Sequence, residues 1–384
     1  MKIAYLPGAF FPDPGGAQVQ VHNLANIMNN KKNKADVLLY NRTNIKNKKY
    51  NINYLNKFII NLVYLFDYYL MIDINFILVF YLRKILKNKK YDVWHFIFLN
   101  YKSLIIIKSL HELNQNIIVT FQGADIQINN KIIYGNRLDK KYDRLLKSIL
   151  PKVKIFTAIS KNIYSDLIKI GVNKNKIVLI PNGVPLNKFK KLKKNFKKKS
   201  QNKIKLITVA RYAEKKKGYD LVHKIVNNLN KLKIEFEWTI IGKNTYKLLN
   251  NSTINKYRKN FKIFENFFIY NEYFFPSKKI ILKYLNSDLY VNLSRIESFG
   301  ITFVEALSAN IPILTFDTKG ANEIIKNNYN GIIVKGNSNI YFCKKILKFK
   351  KNKSIFNFNS LKSAQKYDLD KLKEKYLKIY QLDL

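Results

Sequence analysis

The chain has 384 residues, of which 47% are hydrophobic, and its 70 Lys and Arg residues outnumber 25 Asp and Glu residues to give a net charge of +45. This length favours two domains with full-sized cores, and the single cysteine, Cys343, excludes an internal disulfide and indicates a reducing compartment such as the cytoplasm. The first residues show no basic stretch followed by a long apolar core, so no secretory signal is expected.

The net charge of +45 allows three interpretations. Dense positive charge binds the phosphates of nucleic acids, and it also attracts a protein to an anionic membrane surface. However, the lysines are spread along the whole chain, whereas a nucleic-acid surface concentrates arginine and aromatic residues on one face. We therefore favour compositional drift toward lysine, keep peripheral contact with an anionic membrane as the alternative, and expect no nucleic-acid partner.

Short apolar runs alternate with longer helical patterns along the chain. The first series of predicted strands is Lys2–Pro7, Asp36–Tyr40, Asp92–Phe98, Asn116–Phe121, Lys154–Ile159 and Ile177–Ile180. The second series is Lys205–Val209, Phe236–Ile241, Asp288–Leu293, Ile311–Phe316 and Gly331–Val334. Most of these runs are apolar throughout, which is typical of parallel strands covered on both faces. Two series of right-handed βαβ units predict two α/β domains.

Residues 58–86 form an apolar stretch that is long enough to span a bilayer. Asp67, Asp73 and Asn75 lie in its middle, where a carboxylate is costly in a membrane, and apolar residues recur on every helical face. We therefore expect two helices rather than one spanning helix. These helices either pack within the first domain or form an amphipathic surface that docks on a membrane.

The boundary between the two series is predicted at residues 188–204, a polar and lysine-rich segment without a strand pattern. The first domain then covers residues 1–187, the second covers 205–366, and a last helical pattern covers 367–384. We interpret the basic segment as a solvated hinge, with a membrane or nucleic-acid tether as the alternative.

The segment Arg295–Ala309, RIESFGITFVEALSA, reads as a turn followed by a helix after a strand. The first amides of a helix have no partner within it and carry partial positive charge, so this turn offers a seat for a phosphate, and Gly300 lets a ligand approach the backbone. Glu297 lies in the turn and Glu305 one helical turn further on. The two carboxylates could hold hydroxyls of a sugar and a ribose, although Glu305 could equally be an ordinary helix residue.

The pattern E-S-F-G-x-x-x-x-E-A resembles the signature of retaining glycosyltransferases with the GT-B fold, especially glycosyltransferase family four. Other stretches resemble that family in the same order: FPDPGGAQVQVHNLA (11–25), TAISKNIYSDLIKIGV (157–172), KIVLIPNGV (176–184) and TVARYAEKKKGYD (208–220). The resemblance implies two Rossmann-like domains whose parallel sheets face across a cleft containing the active site. It also implies that the second domain binds the nucleotide sugar and that the last helix packs back on the first domain.

The resemblance assigns roles that fit the chemistry of the side chains. Arg211 and Lys217 would stabilise the negative charge that develops on a departing nucleoside diphosphate, and Glu297 would contact the donor sugar. The donor-binding candidates are Gly15, Gly16, Ser298, Phe299, Gly300, Ile301 and Glu305, the last of these at the ribose. Basic side chains and helix amides take the place of a metal, and neither a metal nor another cofactor is expected besides the donor substrate.

The acceptor side departs from the family. The segment TFQGADIQ (120–127) aligns with a motif in which many relatives carry His-Gly-x-Asp. Gln122 stands in the place of the histidine, and an amide can bind a hydroxyl but cannot carry a proton at neutral pH. Asp125 keeps the acid of that motif, with a turn cap as the alternative, and His95 is either a site residue or a satisfied core residue. Together with Asn182, these residues are the acceptor-side candidates.

These features predict a retaining glycosyltransferase that moves a hexose-type sugar from a UDP- or GDP-sugar to a glycan or lipid-linked acceptor. Surface polysaccharide, such as lipopolysaccharide or capsule, is the expected pathway. The expected location is the cytoplasm, with a peripheral position on the inner face of the plasma membrane left open. The alternatives are a GT-B epimerase or phosphorylase and a non-enzymatic basic protein that binds nucleic acid or membrane.

Overall fold

The computed structural model describes residues 1–12, 15–43, 45–198, 202–265, 272–336 and 338–382. The chain divides into two compact units. The first unit contains Met1–Asn182 and the C-terminal residues from Asp370 onward, and the second contains most of residues 183–369.

The first unit is built on a seven-stranded sheet in which every neighbouring pair is parallel. Its strands are β1 (Lys2–Pro7), β2 (Lys34–Leu39), β3 (Asn51–Tyr54), β4 (Val93–Ile97), β5 (Ile117–Phe121), β6 (Ile155–Ala158) and β7 (Ile177–Leu179), in the order β3-β2-β1-β4-β5-β6-β7. The central strands β4, β5 and β6 are buried at every residue, so the fully apolar runs do mark parallel strands covered on both faces.

Helices cover this sheet. They are α1 (Gly16–Met28), α2 (Lys57–Leu65), α3 (Asn75–Asn88), α4 (Tyr101–Glu112), α5 (Lys140–Ile149) and α6 (Lys161–Lys169). Four of them begin at side chains that accept hydrogen bonds from first-turn amides: Asn56 caps α2, Asn100 caps α4, Asp139 caps α5 and Ser160 caps α6.

The apolar stretch around residues 58–86 forms α2 and α3, which are joined by one π-helical turn over Phe66–Leu70. The prediction of two helices rather than one is therefore confirmed. None of the helices in the described part of the chain is long and apolar enough to cross a membrane.

The second unit contains a six-stranded sheet that is also parallel throughout. Its strands are β8 (Ile204–Val209), β9 (Phe236–Ile241), β10 (Phe261–Phe264), β11 (Leu289–Asn292), β12 (Ile313–Phe316) and β13 (Gly331–Val334), in the order β10-β9-β8-β11-β12-β13. Its helices are α7 (Leu186–Lys194), α8 (Val222–Lys231), α9 (Ser252–Lys256), α10 (Lys278–Leu285), α11 (Ile301–Ser308), α12 (Lys319–Ile324), α13 (Asn339–Lys351) and α14 (Lys353–Ala364). Two parallel α/β units confirm the predicted fold class.

Helix α7 occupies the first part of the segment 188–204 that the sequence marks as a linker, and its Phe189 is buried. Residues 199–201 of that segment lie outside the described residues. The final helix, α15 (Leu369–Tyr380), places Tyr376 and Tyr380 in the core of the first unit.

Both sheets reverse their strand order at one point, between β1 and β4 in the first unit and between β8 and β11 in the second. In open parallel sheets, ligands bind at the carboxyl ends of the strands beside such a reversal. A ligand-binding site is therefore expected in the loops after β8 and β11.

Candidate active site

The loops that follow β8 and β11 lie side by side because these two strands are neighbours in the sheet, with Leu206 opposite Leu289. The first loop contains the cations of the TVARYAEKKKGYD motif. The second contains the turn with Glu297. Residues about 80 positions apart in sequence thus meet at one edge of the second unit.

Lys217 and Glu297 form an ion pair at this edge, with 2.5 Å between Lys217 Nζ and Glu297 Oε1. The same carboxylate oxygen accepts a hydrogen bond of 3.0 Å from Ser294 Oγ. Burial raises the pKa of Glu297, but the charge of Lys217 and the hydrogen bonds from Lys217 and Ser294 outweigh burial and hold the pKa below its ordinary value. Glu297 is therefore a carboxylate at neutral pH.

Further positive charge surrounds this pair. Burial, and then the charges of Lys217 and Arg211, lower the pKa of Lys216 to about 8. Arg211 is exposed shortly after the end of β8. Lys216 thus feels the positive charge of both Lys217 and Arg211, and an incoming dianion would relieve the repulsion among these three cations.

An ion pair fastens the two loops together. The guanidinium of Arg295 donates to both carboxylate oxygens of Asp220, at 2.7 Å each, and to the Lys215 carbonyl at 2.6 Å. The Arg295 amide also donates to the Lys216 carbonyl at 3.0 Å. Gly218, with a φ of +70°, allows the loop to pass so close that a Cβ there would overlap the Leu293 carbonyl. These contacts hold Lys217 within reach of Glu297.

The start of α11 has the geometry of an anion seat. Gly300 precedes the helix with a φ of +85°, and a Cβ there would overlap the Phe303 ring. Ile301 is the first helical residue, so its amide and the next have no partner within the helix. Phe299 is buried with its ring edge against Tyr367, and Ser298 is also buried. The turn is therefore anchored by side chains packed in the second unit.

Glu305 lies one turn further into α11 and is buried, with its Oε2 accepting a hydrogen bond of 2.9 Å from Tyr284. Burial raises the pKa of Glu305 to about 7 against the lowering effect of this bond. The structure thus places the two glutamates differently: Glu297 is ionised beside Lys217, whereas burial raises the pKa of Glu305 to about 7.

Replacement of Glu305 by Gln should change how stability depends on pH. The pKa of about 7 in the folded state exceeds the ordinary value of 4.5, so folding retains a proton that the unfolded chain releases. This stabilisation is complete below pH 4.5 and is lost as the pH rises to about 7, a change of about 3 kcal/mol. Denaturant unfolding should therefore show a smaller loss of stability with rising pH for Glu305→Gln than for the wild type. Parallel profiles would contradict a buried, protonated carboxyl.

In the first unit, the glycine turn leads into a helix as predicted from its sequence. Gly15 has an extended backbone and precedes α1, and Gly16 is its first residue. Residues 13 and 14 of the same motif lie outside the described residues. The contact of these two glycines with the donor stays a prediction.

Two acceptor-side candidates bond to each other. The amides of Gln122 and Asn182 exchange hydrogen bonds of 2.9 and 3.3 Å near the carboxyl end of β5. Asp125 is fully buried, and its carboxylate accepts hydrogen bonds from the amides of Gln122, Gly123 and Leu99. Asp125 is thus a turn cap that positions Gln122, and burial raises its pKa to about 6 against those bonds.

The surroundings of His95 match the second of its two interpretations, a satisfied core residue. Its ring is completely buried on β4, with Nδ1 at 2.6 Å from the Tyr380 hydroxyl and Nε2 at 2.6 Å from Thr120 Oγ1. Burial lowers the pKa of His95 to about 3, so the ring is neutral. Both nitrogens are used inside the core, and His95 therefore serves packing of α15 rather than an acceptor.

Three contributors to this site were not predicted from the sequence: the Asp220–Arg295 pair, Ser294 and Gly320. The amide of Gly320, in α12, donates to the Glu297 carbonyl at 2.7 Å. The signals available in the sequence were an acid, Asp220, at the end of the lysine-rich loop and a glycine, Gly320, inside a helical pattern.

Among the described residues, no group of three His, Cys, Asp or Glu side chains could hold a metal ion.

Two parallel α/β units and a cationic site beside a helix N-terminus define a glycosyltransferase of the GT-B fold. Residues 189–367 match the family described as glycosyl transferases group 1, and residues 14–188 match glycosyltransferase family 4. The two matches together extend from residue 14 to residue 367, and they support the conclusion that the chain is a glycosyltransferase.

Individual proteins are similar to this chain in sequence or in fold. The chain is 25% identical over 313 residues to an uncharacterised protein in the cps region of Klebsiella pneumoniae, covering 78% of this chain and 81% of the relative. It has the fold of Anabaena HepE in complex with UDP-glucose, with a TM-score of 0.74, 15% identity and 99% of each chain covered. It also has the fold of WaaG, a glycosyltransferase involved in lipopolysaccharide biosynthesis, with a TM-score of 0.69, 15% identity and 99% and 100% covered.

Proposed function

We propose that this glycosyltransferase transfers a hexose-type sugar, with retention of configuration, from a UDP- or GDP-sugar to a glycan or lipid-linked acceptor. The observation that carries the proposal is the Lys217–Glu297 ion pair beside the start of α11. A cation held against the turn that leads into α11 suits a diphosphate, and the partly exposed carboxylate paired with it suits the hydroxyls of the attached sugar.

The proposed reaction exchanges one C–O bond for another at the sugar's anomeric carbon. The bond to the β-phosphate oxygen breaks, the acceptor oxygen bonds to the same carbon, and the departing diphosphate takes the acceptor proton. Negative charge grows on the diphosphate as its bond breaks. Lys217, Arg211 and the first amides of α11 stabilise that charge, which lowers the barrier because stabilisation is greatest when the charge has developed.

The acceptor belongs to the carboxyl edge of the first unit's sheet, where Gln122 and Asn182 offer amide groups for hydroxyl recognition. Surface polysaccharide synthesis is the proposed pathway, supported by the cps-region relative and by the lipopolysaccharide role of WaaG. We place the enzyme in the cytoplasm and at the inner face of the plasma membrane, where a lipid-linked acceptor resides.

UDP or GDP should stabilise the folded protein, and the matching nucleotide sugar should release its diphosphate when an acceptor is present. Ligand at one hundred times its Kd adds about 2.7 kcal/mol to the free energy of unfolding. Thermal unfolding with UDP, GDP and a panel of their sugars measures this, with AMP as a nucleotide control. A protein stabilised by no nucleoside diphosphate, or one that binds DNA in a salt-sensitive manner instead, would contradict the proposed donor.

A further inference from the structure

Helices α2 and α3 expose an unusual concentration of large apolar side chains. They and the turn between them carry Phe58, Leu65, Tyr69, Leu70, Met71, Ile72, Phe76 and Phe80, each between 46% and 73% exposed. We call these eight side chains the apolar ridge. A patch of this kind in a soluble protein marks an interaction surface rather than ordinary surface composition.

The part of the ridge on α3 is one face of a regular helix whose opposite face is packed. On α3, Phe76, Phe80, Arg83 and Lys87 follow one another at intervals of four, three and four residues, so they share one outward stripe. The opposite face of the same helix is buried through Leu78 and Leu82. The core side of α3 is thus already satisfied, and the phenylalanines face outward.

The exposed charged side chains of α2 and α3 are positive. Lys57, Arg83, Lys84 and Lys87 are exposed at the ends of the two helices away from the joining turn. Residues 57–88 contain two acids, and both have partners: Tyr101 donates to Asp67 at 3.3 Å, and Lys108 pairs with Asp73 at 2.6 Å. Exposed apolar side chains suit the interior of a bilayer, and cations at the far ends of the two helices suit anionic lipid headgroups.

The joining turn lies beside the proposed acceptor edge. The Tyr68 hydroxyl donates to Asp139 at 2.7 Å, and Lys141 donates to the Tyr68 carbonyl at 2.6 Å. Tyr142, in the same helix as Lys141, donates to the Asp125 carbonyl at 3.0 Å, which connects this helix to the loop after β5. Helix α5 thus connects the turn of the ridge to the loop that carries Gln122.

We propose that the apolar ridge docks the enzyme on an anionic lipid bilayer, with its exposed side chains, Phe76 and Phe80 included, entering the interface and the four cations contacting lipid headgroups. The purpose of this surface rests on the proposed function, because it would bring the acceptor edge close to a lipid-linked acceptor. The physical claim of docking does not require the donor.

Insertion can be separated from the general attraction of a chain with a net charge of +45. Phe80→Trp places a fluorophore on the ridge, and Ile355→Trp places one on α14 at a residue of similar exposure, 61%. The native Trp94 and Trp238 are fully buried and provide a constant background. Lipids brominated on their acyl chains should quench Phe80→Trp in vesicles containing phosphatidylglycerol and leave Ile355→Trp unquenched.

Binding strength supplies the second measurement. Phe76→Ser combined with Phe80→Ser should weaken cosedimentation with phosphatidylglycerol vesicles about tenfold or more, whereas Ile355→Ser should not. Equal quenching of the two tryptophan variants, adsorption abolished by salt without quenching, or burial of the ridge in a dimer of this chain would each overturn the proposal. UDP or GDP stabilisation, measured on the same variants, should remain as in the wild type, so failure of docking and failure of donor binding are distinguishable.

Discussion

Replacing Lys217 with Ala should lower kcat for sugar transfer by about a hundredfold to a thousandfold while the protein remains folded. The ammonium group is the cation in direct contact with Glu297, at 2.5 Å, and it lies next to the helix start that would hold the diphosphate. Its loss removes stabilisation of charge in the transition state. It also removes the largest influence that lowers the pKa of Glu297, so burial would then raise that pKa.

Lys215→Ala is the matched control, because Lys215 lies in the same loop, is exposed, and contributes its carbonyl rather than its side chain to the Arg295 contact. Steady-state kinetics with the identified donor should show near wild-type kcat for this control. Circular dichroism and thermal unfolding report whether either variant loses its fold. A folded Lys217→Ala enzyme with wild-type kcat would remove Lys217 from the mechanism.

Most of the sheet architecture follows from the sequence because a strand covered on both faces has to be apolar at every position. The exceptions are β3 and β10, which lie at the edges of their sheets. The sequence of β3, NINY, alternates polar and apolar residues over only four positions and is partly exposed, so the run is too short to stand out. Edge strands of this kind form because a neighbouring strand offers hydrogen bonds, which is information from tertiary structure.

The site could be predicted as residue types but not as contacts. The spacing of Glu297, Glu305, Arg211 and Lys217 indicates a family, whereas the pairing of Lys217 with Glu297 depends on β8 and β11 being neighbours. The different states of the two glutamates depend on the contact of Glu297 with Lys217 and on the burial of Glu305, neither of which the spacing contains. His95 was uncertain for the same reason, since its partners lie on β5 and on α15.

Gly320→Ala should lower kcat about tenfold to a hundredfold, although Gly320 would contact no substrate in the proposed mechanism. A Cβ at this position would lie 2.7 Å from the Glu297 carbonyl oxygen and 2.9 Å from its carbonyl carbon. These are main-chain atoms of the turn, so relief requires the turn to move away from α12. The movement would break the 2.7 Å hydrogen bond from the Gly320 amide and shift the Glu297 carboxylate relative to Lys217.

Asn322→Ala is the control for this substitution, because Asn322 lies in the same short helix with an exposed side chain that bonds only to Asp317 among its described contacts. Both variants should be compared by kcat, by KM for the donor and by unfolding, with a stability loss of about 1–3 kcal/mol expected for Gly320→Ala. A loss of stability with unchanged kcat would mean that the position of Glu297 does not matter for transfer. A fall in kcat larger than the rise in KM would show that the added methyl disturbs the transition state more than donor binding, as expected if the Glu297 turn must be held in place.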